Sequence, residues 1–228
     1  MAVQYNPKLI TDGLVLCLDA ANPKSYGGSG TTWTDLSGRG NTGTLVNGVG
    51  YSSANNGSLS FDGVDDYVTL GSSLSATAQG TISFWIKLTN TITSGYVGNQ
   101  RPWGKNLDFE CRWGGNGDIR DRSLVFDINA ALSLVSIQNT WMNTVWYNAS
   151  MVYNSSTNYS ALYIQGSLDA TGTAGNPSGL TGTFNIGATF STAGLVNGNI
   201  SNFSIYNRAL SAAEVKQNYN ATKSRYGL

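Results

Sequence analysis

Residues 107–113 read LDFECRW and residues 81–87 read TISFWIK, and both stretches alternate apolar and polar side chains. Apolar residues that stand two positions apart share one face of an extended chain. The second stretch is also rich in the β-branched and aromatic residues that strands favour. Each stretch therefore predicts a β-strand with one buried face.

Outward from these two stretches, further short apolar runs are candidate strands at 14–18, 59–61, 67–70, 124–128, 132–137, 145–153, 159–164, 183–186 and 200–206. Turn-forming pairs separate the runs: Asn47-Gly48, Asn56-Gly57, Asp62-Gly63, Gln165-Gly166 and Asn197-Gly198. Many short strands joined by such turns are typical of an antiparallel sandwich or jelly roll. We therefore expect an all-β protein, a single domain over 1–228 with an N-terminal arm at 1–12.

One helix is predicted near the C-terminus, at 211–221. Ser211 and Glu214 have the spacing of a capping box, in which each side chain satisfies the backbone N–H of the other residue. Val215 and Tyr219 are four positions apart, so they share one helix face that can dock on the sandwich. The tail at 222–228 is either a frayed terminus or a contact with a partner subunit.

The charge balance argues against several classes of partner. The chain has 228 residues with 13 basic and 13 acidic side chains, so its net charge is zero. Nucleic-acid binding and polybasic membrane contacts need an excess of Lys and Arg, and no apolar run approaches the length that spans a bilayer. The first residues, MAVQYNPKLITDG, show no secretory signal. Cys17 and Cys111 are expected to be buried reduced thiols.

Several motifs follow one another in a familiar order: GLVLCLDAANPKSY at 13–26, TTWTDLSGRGNTGTLVNG at 31–48, SLSFDGVDDYVTL at 58–70, TISFWIK at 81–87 and GNISNFSIYNRALSAAEVKQNYNA at 198–221. Together they resemble the concanavalin A-like, laminin G-type jelly-roll family, which implies the same sandwich fold. The opening and closing segments are in addition similar to structural proteins of tailed phages that infect marine bacteria and cyanobacteria. That narrower resemblance implies a virion location. Trp33, Trp85 and Trp146 are expected to be core residues.

The residues offer little for catalysis. The chain has no His, which removes Ser-His-Asp and Cys-His machinery, and its two Glu are Glu110 and Glu214. Glu110 and Asp108 share a strand face and are the best candidate pair for glycoside hydrolysis, which needs two placed carboxylates. The glucanase branch of the resembling family carries a third acid where this chain has Arg112. The alternative is an outward polar face in which Arg112 pairs with these acids, and we expect no catalytic residue.

Calcium is a second question. The resemblance implies a structural Ca²⁺ in some relatives, and Asp19, Asp62, Asp65 and Asp66 could supply oxygen ligands. Related chains often carry acidic residues in the last strand, where this chain has Ser201-Asn202. We expect no cofactor, with a structural Ca²⁺ and solvated turn carboxylates as the two alternatives for these acids.

Saccharide binding is the remaining chemistry. Sugars stack on aromatic rings and bond to surrounding amides and charged groups, and residues 96–113 hold such a set: Tyr96, Arg101, Trp103 and Trp113. We predict these four residues as a ligand-binding site for a glycan or for a neighbouring subunit. The alternative is that the aromatic residues cover the core.

Three functions follow, in order of preference. The first is a non-enzymatic virion surface protein, either a capsid decoration or part of a fibre or tail appendage, with other virion proteins and further copies of itself as partners. The second is a lectin module that recognises a host-surface polysaccharide. The third is a glucanase-like hydrolase.

Overall fold

The computed structural model describes residues 7–70, 74, 76–92, 100–105, 109–114, 122–129, 131–178, 180, 182–189 and 194–228. Its strands form two sheets of eight that face each other, and every strand pair is antiparallel. The predicted antiparallel β-sandwich is thereby confirmed.

The first sheet has the order β14-β13-β12-β7-β16-β5-β4, and β1 also pairs with β16. Its strands are β1 (Leu14–Asp19), β4 (Gly50–Ser52), β5 (Ser58–Asp62), β7 (Gln79–Leu88), β12 (Tyr147–Asn154), β13 (Tyr159–Ile164), β14 (Ser167–Gly172) and β16 (Asn197–Tyr206). One edge of β16 pairs with β7, while its other edge is shared by β5 and β1.

The second sheet has the order β11-β10-β9-β8-β15-β6-β3-β2. Its strands are β2 (Thr32–Trp33), β3 (Gly43–Val46), β6 (Tyr67–Thr69), β8 (Trp103–Gly104), β9 (Phe109–Trp113), β10 (Leu124–Ile128), β11 (Ala131–Val135) and β15 (Asn185–Ile186). The described residues also form three short 3₁₀ turns, at Ala54–Asn56, Ser155–Thr157 and Lys223–Tyr226.

The core lies between the sheets and is rich in aromatic rings. The Trp103 ring stacks on Phe184 at 5.5 Å and meets the edges of Phe109 at 5.1 Å and Phe126 at 5.7 Å between ring centroids. Because each such ring fills space that a smaller residue would leave empty, truncating one costs about 3–5 kcal/mol. This packing fixes the inward side chains of both sheets around Trp103.

The C-terminal helix α1 (Ala212–Thr222) begins as the sequence predicts. The Ser211 hydroxyl accepts from the Glu214 backbone N–H, and the Glu214 side chain accepts from the Ser211 N–H at 2.8 Å. Val215 is buried on the outer face of the first sheet. The predicted capping box and docking face are therefore confirmed.

The tail is folded rather than frayed. Its Lys223–Tyr226 turn folds back on the first sheet, where the Tyr226 ring stacks on Trp85 with 4.0 Å between centroids. Arg225 holds both carboxylate oxygens of Asp19 at 2.8 Å. The alternative of a frayed terminus is therefore wrong, because Tyr226, the third residue from the end, stacks on Trp85 of its own chain, whereas a contact with a partner subunit stays a prediction.

The tryptophans and cysteines are buried, although not all in the same core. Trp33 lies between the sheets as expected, whereas Trp85 and Trp146 form a second cluster outside the first sheet, beneath the C-terminal residues. Both Cys17 and Cys111 are free thiols and buried, as expected. Burial raises the pKa of Cys17 to about 12, so this thiol is unreactive at neutral pH. Within the described residues, no helix has the length and apolar character that crossing a membrane requires.

Candidate functional site

The outer face of the second sheet carries a polar row that crosses seven strands. The strand register places its members side by side: Asp127, Glu110, Gly104, Asn185, Thr69, Thr44 and Thr32. Their neighbours along the strands, such as Cys111 and Ile186, are fully buried in the core. Since side chains alternate along a strand, the row must point outward.

One half of this row is an ion-pair network. Arg101 Nε donates to Glu110 Oε2 at 2.8 Å, and Arg112 Nε donates to Asp127 Oδ2 at 2.8 Å. Arg112 Nε also lies 3.4 Å from Glu110 Oε1, and the Thr189 hydroxyl donates to Glu110 Oε2 at 2.6 Å. Two cations and two anions thus neutralise one another on the sheet surface.

The Glu110 carboxyl is buried in this network, with a side chain that is 3% exposed. Burial raises the pKa of Glu110, while the Thr189 hydroxyl and the two guanidinium groups oppose that rise. The alternative of an ion pair between Glu110 and Arg112 is confirmed, although the pair is covered rather than solvated. Asp108, the other member of the candidate catalytic pair, lies outside the described residues.

The other half of the row is made of hydroxyl groups, which we call the hydroxyl face: Thr32, Thr44 and Thr69. Thr32 and Thr44 are exposed and Thr69 is half-buried. They stand on three neighbouring strands in direct register. Strands lie about 4.8 Å apart, so the three positions form a short ladder of neutral polar groups.

An exposed aromatic ring lies at the edge where the two sheets come together. Tyr51, on the edge strand β4, is 38% exposed. It pairs with the core residue Leu59, so it points to the inner side of the first sheet, towards the second. Its ring lies 5.4 Å from that of Tyr26, whose hydroxyl donates to the Gly30 carbonyl at 3.0 Å in the loop before β2.

We call Tyr51, Tyr26 and Gly28 the tyrosine platform. Gly28 has a φ of +88°, and a Cβ atom there would lie 3.5 Å from the Tyr51 ring. The left-handed backbone favours glycine, which lets the loop run close beside the ring without a side chain over it. The platform therefore holds one ring in a fixed place and leaves part of that ring open to solvent.

Comparison with known families identifies this fold. The family model of the concanavalin A-like lectin/glucanases superfamily matches residues 61–216. The chain belongs to this superfamily. No curated protein sequence is similar enough to this chain to count as a relative. The predicted fold family is thus confirmed.

Solved structures with a similar fold extend the comparison. Domain 4 of an extracellular arabinanase from Geobacillus stearothermophilus, solved with arabinotriose, has a TM-score of 0.69 at 16% identity and covers 90% of this chain and 98% of its own. The binding domain of Paraclostridial Mosquitocidal Protein 1 has a TM-score of 0.67 at 16% identity, covering 92% and 52%. The Botulinum neurotoxin type G receptor binding domain has a TM-score of 0.64 at 17% identity, and the match covers 91% of this chain and 51% of that domain. These likenesses establish the fold, and this chain spans about half the length of the two toxin domains.

The sandwich places the predicted ligand-binding residues elsewhere than expected. Trp103 is fully buried and Trp113 is 2% exposed, so neither ring has a face for a saccharide, and the prediction is wrong for both. They occupy inward positions of β8 and β9, as the alternative of covering the core requires. Arg101 is buried against Glu110. Tyr96 lies outside the described residues.

Three of the four acids considered for calcium come together. Ligand oxygens of Asp62, Asp65 and Asp66 lie within 4.8 Å of one another, whereas Asp19 pairs with Arg225 instead. Carboxylate oxygens are ligands that Ca²⁺ prefers, so the set fits a divalent cation in charge and in spacing. The same carboxylates also close the turn: Asp62 Oδ1 accepts from the Val64 N–H at 2.8 Å. Burial raises the pKa of Asp66, and the two neighbouring acids add to that rise.

The sequence reasoning missed Tyr51. Its stretch, GYS, is too short to show alternation and has no polar cluster of the kind that marks residues 96–113. The available signal was the row of glycines at 27, 28 and 30, which indicates a loop that runs close to something bulky. The glycines do not indicate which bulky residue lies beside the loop, so the sequence alone could not have paired this loop with Tyr51.

Proposed function

We propose that this chain is a non-catalytic, lectin-like module that binds a saccharide at the tyrosine platform. The observation that carries the proposal is Tyr51, a residue that is 38% exposed and whose ring packs beside that of Tyr26. A fixed exposed ring loses little conformational freedom when a ligand stacks on it. Saccharides present apolar ring faces that suit such stacking.

The surroundings of the platform support a neutral ligand. The loop at 27–31 and residues 52–53 supply Gly, Ser and Thr. Among the described residues, no ion pair involves these segments. Hydroxyl and backbone groups bond to sugar hydroxyls without the desolvation cost of burying a charge.

The comparisons support the same class of function. The arabinanase domain was solved with arabinotriose, and two of the similar toxin domains are binding or receptor-binding domains. Identities of 16–17% support a shared fold and no more. Experiment therefore has to determine which saccharide this chain binds.

Catalysis is left out of the proposal on account of Glu110. Glycoside hydrolysis needs a carboxylic acid that reaches the glycosidic oxygen and a second carboxylate as base or nucleophile. Glu110 is covered and paired with Arg101, and Asp127 is held by Arg112. Release of reducing ends from β-glucans by the protein, abolished in Glu110→Gln, would contradict this part of the proposal.

The decisive experiment compares two equally exposed tyrosines. We expect a saccharide array to give at least one binder, and calorimetry on that binder to show a loss of about tenfold or more for Tyr51→Ala, because stacking buries apolar ring surface. Tyr159→Ala is the matched control, since Tyr159 is 41% exposed on the strand β13. A blank array, or equal losses for the two variants, would contradict the proposal.

A finer proposal concerns where the module works. The phage-like opening and closing segments support a virion surface protein, as a capsid decoration or a fibre or tail appendage, that assembles with other virion proteins and with further copies of itself. A low charge suits contacts that persist at high salt. We expect mass spectrometry to find the protein in purified particles, and its absence from them would overturn this location without touching the saccharide proposal.

A further inference from the structure

A cavity of about 330 Å³ opens at one end of the sandwich, between the two sheets. Ile82 and Ile205 line it from the first sheet, and Phe109 and Phe184 line it from the second-sheet side. It is separate from the tyrosine platform, none of whose residues line it. The core is therefore open at this end to a molecule of the right shape.

The size and walls of the cavity suit a small apolar body. Ligand pockets in proteins begin at about 300 Å³ and are mostly apolar with a few placed polar groups. A dry apolar cavity of about 150 Å³ is already enough for benzene. The space here is about twice that, so it admits an alkyl chain or a ring system of roughly ten heavy atoms.

A free positive charge stands at the mouth. Arg39 lines the cavity and is exposed, and no ion pair involves its guanidinium in the described part of the chain. Asp35, four residues earlier, instead accepts hydrogen bonds from three backbone N–H groups. Asn41 lines the same mouth and adds an amide.

A second cation lies behind the wall. Lys105 is 3% exposed, and its ammonium group donates a hydrogen bond to the backbone carbonyl of Leu74. Leu74 is one of the residues that line the cavity. No carboxylate pairs with Lys105 among the described residues, and burial lowers its pKa. A buried cation without a counter-ion is costly, so an anion that approaches this end of the sandwich is favoured.

We propose that this cavity binds a small amphipathic carboxylate, with the apolar tail between the sheets and the carboxylate at Arg39. The inference goes beyond the saccharide proposal, since it concerns another site and another class of ligand. The side chains of Ile82, Ile205, Phe109 and Phe184 offer no hydrogen bonds, so sugar hydroxyl groups beside them would lose theirs. The unpaired guanidinium selects the acid over a neutral molecule of equal length.

The test uses octanoate as the probe and 1-octanol as its neutral counterpart, with calorimetry on the full chain. We expect saturable octanoate binding with a Kd below about 1 mM. Arg39→Gln should weaken octanoate about fivefold, the scale of one solvent-exposed ion pair, and leave octanol unchanged. Lys24→Gln removes an exposed charge that does not line the cavity and should change neither ligand.

A second variant tests the location of the tail. Ala76 lines the cavity, so Ala76→Trp should fill it and abolish binding of both ligands. Should that variant not fold, amide shifts in the unaltered protein replace it, and octanoate should move residues around Ile82 and Phe109. Absence of saturable octanoate binding, equal affinity for acid and alcohol, or shifts confined to other regions would each overturn the proposal. Saccharide binding is measured on Ala76→Trp as well, and its retention keeps the two proposals distinct.

Discussion

The outer faces of the two sheets differ in what covers them. The first sheet turns aromatic residues outward, among them Trp85, Tyr163 and Tyr206, and the C-terminal helix and tail cover them. The second sheet turns threonines and mutually neutralised charges outward, and no helix among the described residues covers it. Both faces follow the same alternation, so the identity of the outward residue decides which face must be covered. Of the two outer faces, the C-terminal residues therefore cover the first, whereas the threonines of the second remain exposed or half-buried.

The largest expected effect comes from breaking the covered face at Trp85. Its ring is stacked between Tyr226 at 4.0 Å and Tyr219 at 5.7 Å, and its Nε1 donates to the Thr222 hydroxyl at 2.9 Å. Trp85→Ala should lower the free energy of unfolding by about 4 kcal/mol, because it leaves a cavity and removes the docking site of the tail. Denaturant unfolding measures this change.

The control for Trp85→Ala is Ile137→Ala, at an apolar residue that is 76% exposed. Its free energy of unfolding should change by less than about 0.5 kcal/mol. A loss below about 1 kcal/mol at Trp85 would mean that the tail does not stabilise the first sheet.

The next effect sharpens the contrast on the second sheet. Glu110→Gln removes the anion between Arg101 and Arg112 and should cost about 3 kcal/mol of unfolding free energy, because it leaves buried guanidinium charge uncompensated. Asp12→Asn is the matched control: its side chain is 86% exposed, and its pair with Arg208 should contribute less than about 1 kcal/mol. Equal costs for the two variants would show that the outer face of the second sheet is hydrated at Glu110.

Local patterns along the chain predict the sandwich and the helix start, because alternation and a capping box depend on residues close in the chain. The alternation in 107–113 already contained the signal that Trp113 points inward, and it conflicts with the choice of Trp113 as a ligand residue. Trp103 gave no such signal, since its strand has two residues.

The features that could not be predicted from the sequence depend on contacts between distant parts of the chain. Trp85 and Tyr226 are 141 positions apart, and the covering of one sheet face by the tail depends on their stacking. Tyr51 meets Tyr26 across the sheet edge in the same way. Such pairs are fixed by topology, which no local pattern encodes.

The smallest effect concerns the pH dependence of the helix that covers the first sheet. The Arg208 guanidinium beside Glu214 lowers its pKa from 4.5 to about 2. A carboxyl with a lowered pKa stabilises the fold above pH 4.5, and that contribution is lost as the pH falls from 4.5 to about 2. Glu214→Gln should therefore cost about 1 kcal/mol at pH 7.

The difference between this variant and the unaltered protein should shrink as the pH falls from 4.5 through about 2, and it should vanish only below pH 2, where Glu214 is protonated in both its folded and unfolded states. Denaturant unfolding at a series of pH values measures the difference. A constant difference across that range would show that the carboxylate charge contributes nothing at the helix start.

The most direct test of the account is a map of where a saccharide binds. The strongest binder from the array is titrated into the isotope-labelled protein, and the amide shifts are followed residue by residue. We expect saturable shifts concentrated at Tyr51, Tyr26 and Gly28, with the covered face around Trp85 unmoved. Saturable shifts centred on the hydroxyl face, or shifts centred on the C-terminal helix, would contradict the assignment of the binding site to the sheet edge.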